Sequence, residues 1–207
     1  MKRFVLASTV WVYGAAPGED VDEESLFSPH GGGHVYTTSK QAAELLCHDY
    51  NTLYNVPFTI IRYGIPYGPR MRLQLVLPIF IGRAMRGESI SIAGDGSGGR
   101  NFLYVEDLAR AHVLALGEQA ANRTYNIDGG EHVSLLRMAQ LVIKGTDSTS
   151  EIVFTPPRPG DYSGKRVSTQ RASQELGWKQ EVPFEEGLKR TLAWYREAVA
   201  PEAAAAR

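Results

Sequence analysis

Tyr36 and Lys40 stand four residues apart in the stretch His34-Val35-Tyr36-Thr37-Thr38-Ser39-Lys40-Gln41-Ala42-Ala43-Glu44. On a helix that spacing puts a phenol and an ammonium on one face. A free tyrosine, with a pKa of ~10, is a poor base near neutral pH. A neighbouring positive charge favours the phenolate and moves it toward the range that general acid–base chemistry uses. A tyrosine four residues before a lysine also arises by chance on solvated helices, so the pair alone carries little weight. The elements around it decide what it is worth.

Phe4–Ala7 is a short apolar run of the kind found in a buried parallel strand, which needs neighbours on both sides. A polar loop rich in Gly, Pro, Asp and Glu runs from Gly14 to Gly33, and loops of that length are usually functional or disordered. The pattern then predicts a helix over 35–54, with apolar positions Ala42, Ala43, Leu45, Leu46, Tyr50 and Leu53, and a second buried strand over 58–62. Further on it predicts helices over 75–86, 106–118, 134–144, 169–176 and 183–199. Strands are predicted over 89–93, 101–105, 123–127 and 152–155. Leu108, Ala111, His112 and Leu116 are expected on or near one face of the 106–118 helix, and Ser134 is expected to cap the helix that starts there. Strands alternating with helices make the class α/β.

The chain has 207 residues, 43% of them hydrophobic, enough for one sizeable core and a smaller lobe. A net charge of −1 without a basic run argues against nucleic acid. The single cysteine, Cys47, sits in an apolar helical pattern and is expected as a buried small hydrophobe; one cysteine cannot make a disulfide or zinc framework. His34, His48, His112 and His132 show no ligand spacing, so no metal is expected. No signal peptide and no membrane-length apolar run is seen, and a cytoplasmic setting is expected. The tail 201–207 is expected to be disordered.

Six stretches in one order carry a resemblance. They are Ser8-Thr9-x-x-Val12-Tyr13-Gly14, Tyr36-x-x-x-Lys40, and Arg62-Tyr63-x-x-x-Tyr67-Gly68-Pro69-Arg70. After these come Gly94-Asp95-Gly96-x-x-x-Arg100-x-Phe102-x-Tyr104-Val105-x-Asp107, Tyr125-Asn126-Ile127 and Arg158-Pro159-Gly160-Asp161. Together they resemble the extended short-chain dehydrogenase/reductases, the NAD-dependent sugar-nucleotide epimerase/dehydratase family, from Phe4 to about Ala198. The resemblance implies the C-terminal part of a Rossmann-type parallel sheet plus a smaller α/β substrate-binding lobe. Residues 1–70 would be a partial NAD-binding domain, and 71–200 mainly the sugar-nucleotide lobe, with the chain crossing between them.

By the same resemblance Tyr36 matches the catalytic base, and Lys40 the residue that holds the nicotinamide ribose and lowers the tyrosine pKa. Thr9 matches the hydroxyl residue that bonds the reacting sugar hydroxyl. Tyr63 joins Tyr36 and Lys40 among the NAD contacts. Arg100 and Arg158 match arginines that grip the nucleotide diphosphate, a task suited to a planar fork of donors. Asp161 matches a carboxylate on the nucleotide ribose. Taken singly, Arg100, Arg158 and Asp161 fit surface ion pairs equally well; the Pro-Gly between Arg158 and Asp161 favours a shaped binding loop. Asp107 is expected as a structural first-turn acid. The implied partners are a nucleotide sugar such as a UDP-sugar and a second copy of the chain in a homodimer.

The family opens with a strand, a glycine-rich turn and a helix that hold the NAD pyrophosphate. No Gly-x-Gly-x-x-Gly precedes Tyr36, so the chain looks like the C-terminal portion of such a protein. Ile65 stands where the family often has Asn, and Asn101 where an Asp usually follows the arginine. Dehydratases and decarboxylases of the family carry acidic residues directly after the catalytic Thr; here those places hold Val10 and Trp11. The resemblance therefore points first to an epimerase. A family reductase, or a non-catalytic sugar-nucleotide-binding protein, stays open beside it.

Overall fold

The computed structural model describes residues 2–28, 30, 32–157 and 165–199. Arg158, Asp161 and the tail 201–207 lie outside the described residues. In chain order the strands are β1 (Phe4–Thr9), β2 (Asp20–Val21), β3 (Phe58–Tyr63), β4 (Ile65–Tyr67), β5 (Ile90–Ala93), β6 (Gly99–Tyr104), β7 (Arg123–Ile127), β8 (His132–Ser134), β9 (Ile152–Thr155) and β10 (Arg166–Val167). The α-helices are α1 (Val35–Tyr54), α2 (Val76–Met85), α3 (Val105–Leu114), α4 (Leu135–Gly145), α5 (Gln170–Leu176) and α6 (Phe184–Trp194), the last continuing as a π turn over Tyr195–Val199. The class is α/β, as expected.

The chain divides into two compact units. The first comprises Met1–Pro66, Glu106–Gly130 and Gly164–Glu181, and the second Tyr67–Val105, Glu131–Ser163 and Val182–Arg207. The first is built on a parallel sheet of order β1-β3-β7. β3 is central, and its run Phe58–Arg62 is buried throughout, as a strand covered on both faces must be. Among the described residues β1 has one strand neighbour, and Phe4 is 43% exposed.

Helix α1 packs on β1 and β3, but not through its apolar positions. Leu45, Leu46, Tyr50 and Leu53 are exposed, while Thr37, Gln41, Glu44 and Cys47 are buried. These four recur at i, i+4, i+7 and i+10, one continuous helical stripe. The inward face is therefore largely polar, and each buried group needs a partner. Gln41 donates from Nε2 to the Val12 carbonyl at 3.0 Å, and Glu44 meets Ser8 and Arg62. Cys47 is buried, as expected.

Two stretches are decided by distant partners. Part of the loop after Gly14 is tied down: β2 pairs in parallel with β10, and Arg166 makes a two-pronged bond to Asp20 at 2.6 and 2.7 Å. Lys165 Nζ adds bonds to the Ala16 and Gly18 carbonyls. The helix expected over 106–118 ends at Leu114 and leaves Leu116 65% exposed. The Arg3 guanidinium takes the Ala115 and Gly117 carbonyls at 3.1 and 2.8 Å, so the chain turns there instead of continuing to wind.

The second unit holds the antiparallel pair β6–β8 and the parallel pair β5–β9. Ser134 caps α4 as predicted, its Oγ accepting from Arg137 N at 3.1 Å. Tyr67, Phe102, Tyr104 and Phe184 form an aromatic cluster with centroid separations of 5.1–6.0 Å. Gly187 on α6 lets that helix lie on Tyr67 and Tyr104; any Cβ there would collide with both rings.

Candidate active site

Open parallel sheets bind ligands beyond the carboxyl ends of their strands. Here the register places Thr9, last residue of β1, beside Tyr63, last residue of β3. Thr9 is buried and caps the 3-10 turn Val10–Tyr13, its Oγ1 accepting from Trp11 N at 3.2 Å. A hydroxyl used that way keeps its own proton as a donor.

Helix α1 brings Tyr36 and Lys40 to the same unit. Tyr36 lies in the first turn and is 46% exposed, open to a ligand. Lys40 Nζ donates to the Ala7 carbonyl at 2.8 Å and stands 5.8 Å from the centre of the Tyr36 ring. This bond ties the lysine to β1 two residues before Thr9. Burial first, and then the neighbouring Tyr36, push the Tyr63 phenol above its ordinary range, so the two tyrosines share one neighbourhood. Thr9, Tyr36, Lys40 and Tyr63 therefore all belong to one unit. Arg100 lies on β6 of the other unit, with Nη1 donating to the Gly99 carbonyl at 2.6 Å.

The cap of α1 is unusual. His34 Nδ1 accepts from Tyr36 N at 3.1 Å, where Ser, Thr, Asp or Asn would be commoner. His34→Ala is expected to cost about 0.5–1 kcal/mol, the low end for an exposed cap. His34→Asp should recover it, because a carboxylate also complements the helix dipole. Urea denaturation of the two variants checks both; equal midpoints would show that the cap contributes nothing.

Sequence reasoning missed what lies under these residues. Ser8 Oγ donates to Glu44, and Arg62 bonds Glu44 through Nε at 3.0 Å and Nη2 at 2.6 Å. Arg62 Nη1 also donates to Tyr13 OH at 2.6 Å, and Tyr13 donates to Asn126 Oδ1 at 2.8 Å. Burial works against the Arg62 charge, but the bonds and charge of Glu44 outweigh it and hold the guanidinium above its ordinary range. Burial pushes the Tyr13 phenol up to about 12 despite Arg62 beside it. A charge closing an otherwise apolar strand, at Arg62, was the signal that something opposite must answer it. Asp107, expected as a first-turn acid, is buried on α3. It pairs with Arg110 at 2.9 Å and accepts from Glu181 N at 3.1 and 3.2 Å. Among the described residues no group of three or more His, Cys, Asp or Glu could hold a metal, and no helix is long and apolar enough to cross a membrane.

A dinucleotide can be tested against these groups. An ammonium has three donors, and Lys40 gives one to Ala7, leaving two for a ribose diol beside the exposed phenol of Tyr36. The residues fit the nicotinamide-ribose end of such a cofactor. Fold and geometry thus define an α/β protein with a Tyr/Lys pair beside the carboxyl end of a parallel strand.

The NAD dependent epimerase/dehydratase family matches residues 1–128, and the chain belongs to that family. A dTDP-D-glucose 4,6-dehydratase of Mus musculus is 32% identical over 204 residues, covering 95% of this chain and 56% of its own length. A UDP-glucose 4-epimerase of Thermotoga maritima, solved with UDP-glucose, superposes with a TM-score of 0.84 at 32% identity, over 96% of this chain and 65% of that one. A UDP-glucuronic acid 4-epimerase of Bacillus cereus, solved with UDP-glucuronic acid and NAD, gives 0.83 at 27%, over 94% and 62%. The chain thus spans between about half and two thirds of the length of these relatives.

Proposed function

We propose that the chain carries the catalytic residues of an NAD-dependent nucleotide-sugar epimerase, acting on a UDP-hexose or UDP-hexuronate through a transient keto-sugar. Tyr36 takes the proton of the reacting sugar hydroxyl. Lys40 holds the ribose beside it, and Tyr63 lines the same subsite. Thr9 donates to the sugar oxygen as it becomes a carbonyl. Bound NAD would supply hydride acceptance and return at that carbon. Arg100, with Arg158 and Asp161, is proposed to hold the nucleotide diphosphate and ribose. A homodimer and a cytoplasmic setting belong to the same proposal; the exposed Leu45, Leu46, Tyr50 and Leu53 of α1 support the first.

The observation that favours epimerisation is the pair Val10–Trp11, which follows Thr9 in the 3-10 turn. Loss of water requires a proton to be moved at a second carbon, and neither side chain can do that. The test is turnover by any longer version of the chain that binds NAD. Interconversion of UDP-glucose and UDP-galactose, or of the uronates, without added reductant supports the proposal. Consumption of NADPH would indicate a reductase, and a 4-keto-6-deoxy product would overturn epimerisation in favour of dehydration.

A second reading, a chain that binds a nucleotide sugar without catalysis, stands beside it. Among the described residues up to Val35, β1 passes straight into the 3-10 turn, with no glycine-rich strand-to-helix turn for a pyrophosphate. Residues 1–207 expressed alone should give no saturable heat with NAD up to about millimolar, where binding is worth about 4 kcal/mol. Micromolar binding, about 8 kcal/mol, would place the affinity in residues already described.

A further inference from the structure

We propose that Ser8, Glu44 and Arg62 are positioning residues that set the height of Thr9 on β1 against Tyr36 and Lys40 on α1. The inference rests on the assignment of Tyr36 as the base. Each of the three is tied in sequence to a site residue. Ser8 precedes Thr9, Arg62 precedes Tyr63, and Glu44 lies one helical turn beyond Lys40. All three are buried, with exposures of 0%, 5% and 1%.

The geometry locks three elements at one carboxylate. Glu44 accepts from Ser8 on β1 and from two nitrogens of Arg62 on β3, while its own backbone belongs to α1. Lys40 to the Ala7 carbonyl is a second tie between α1 and β1. Through Tyr13 and Asn126 the same guanidinium reaches the turn that follows Thr9 and the strand β7. Apolar side chains in these places would let a helix slide along the sheet by fractions of an ångström. Hydrogen bonds to a fixed fork of donors do not. Buried ion pairs seldom add net stability over an apolar replacement, so their presence here calls for another role, and geometry is the one this cluster can perform.

The test is Ser8→Ala in the full chain, or in any longer version that turns over, labelled with 3-fluorotyrosine, with the Tyr36 resonance identified by its loss in Tyr36→Phe. Ser8→Ala removes the tie from Glu44 to β1 and leaves the Glu44–Arg62 pair and the Lys40–Ala7 bond intact. The Tyr36 resonance is expected to shift while the variant stays folded, its thermal midpoint lowered by the one lost hydrogen bond. Misplacement of reacting groups by about 1 Å can cost 10²-fold, so turnover should fall about tenfold or more with KM little changed. A stably folded Ser8→Ala with an unmoved resonance overturns the proposal whatever its turnover. The fluorine signal needs no catalysis, so a protein that proves not to be an epimerase can still support or reject the positioning role. If Ser8→Ala does not fold, Arg62→Lys decides: a shifted Tyr36 resonance supports the role and a parental one rejects it. Failure of both to fold would assign the cluster to stability alone and reject positioning.

Discussion

Tyr36→Phe in any longer version that turns over is expected to lower turnover by about 10²–10⁴-fold, the usual contribution of a positioned acid–base group. Nucleotide-sugar binding should be nearly unchanged. Phe keeps the ring, and with it the cation–aromatic contact to Lys40 at 5.8 Å, and removes only the hydroxyl that would carry the proton. The backbone bond from Tyr36 N to His34 is untouched, so the first turn of α1 stays capped. Steady-state turnover and calorimetric titration of a UDP-sugar separate the two effects. A loss below about threefold would sink the assignment, because no acid–base role is that small. A loss confined to binding would move Tyr36 from chemistry to recognition.

The residues in that test were legible because their signals are local. The four-residue spacing of Tyr36 and Lys40 needs only a helix, and the helix over 35–54 has the predicted ends. β3 is a buried apolar run, and β7 and β9 also keep their predicted bounds. What was not legible depends on partners far away in the chain. Apolar periodicity marks Leu45, Leu46, Tyr50 and Leu53 on α1, yet its buried stripe is Thr37, Gln41, Glu44 and Cys47. Hydropathy gives no value to a carboxylate whose partner stands 18 residues on, or to a serine 36 residues back. The end of α3 is decided by Arg3, 112 residues before Ala115. The two-residue strands β2 and β10 are too short to show any period, and exist through their pairing and the Arg166–Asp20 fork.

Glu44→Ala is expected to destabilise the fold by about 3–5 kcal/mol, since it leaves the Arg62 charge buried and unanswered. Both side chains are at most 6% exposed, so water cannot screen the loss. Tyr13 OH and the Glu23 carbonyl also touch Arg62 but carry no charge, and the buried Glu23 carboxylate, which feels Arg62, is held by Asn126 N and Arg171. Replacing both partners, as in Glu44→Leu with Arg62→Met, should cost far less. The charge then goes with its partner, and the remaining penalty is a Ser8 hydroxyl without its acceptor and a Tyr13 oxygen without the Arg62 donor, while Tyr13 still donates to Asn126, about 1–2 kcal/mol. Urea denaturation of Glu44→Leu, Arg62→Met and the double variant completes a cycle, and the double should be more stable than Glu44→Leu by about 1–4 kcal/mol. If the single effects simply add, the pair is not coupled, and the cluster cannot lock β1, β3 and α1 at one point. If they do not add, the double variant is a stable protein without the lock, and its turnover then separates geometry from stability.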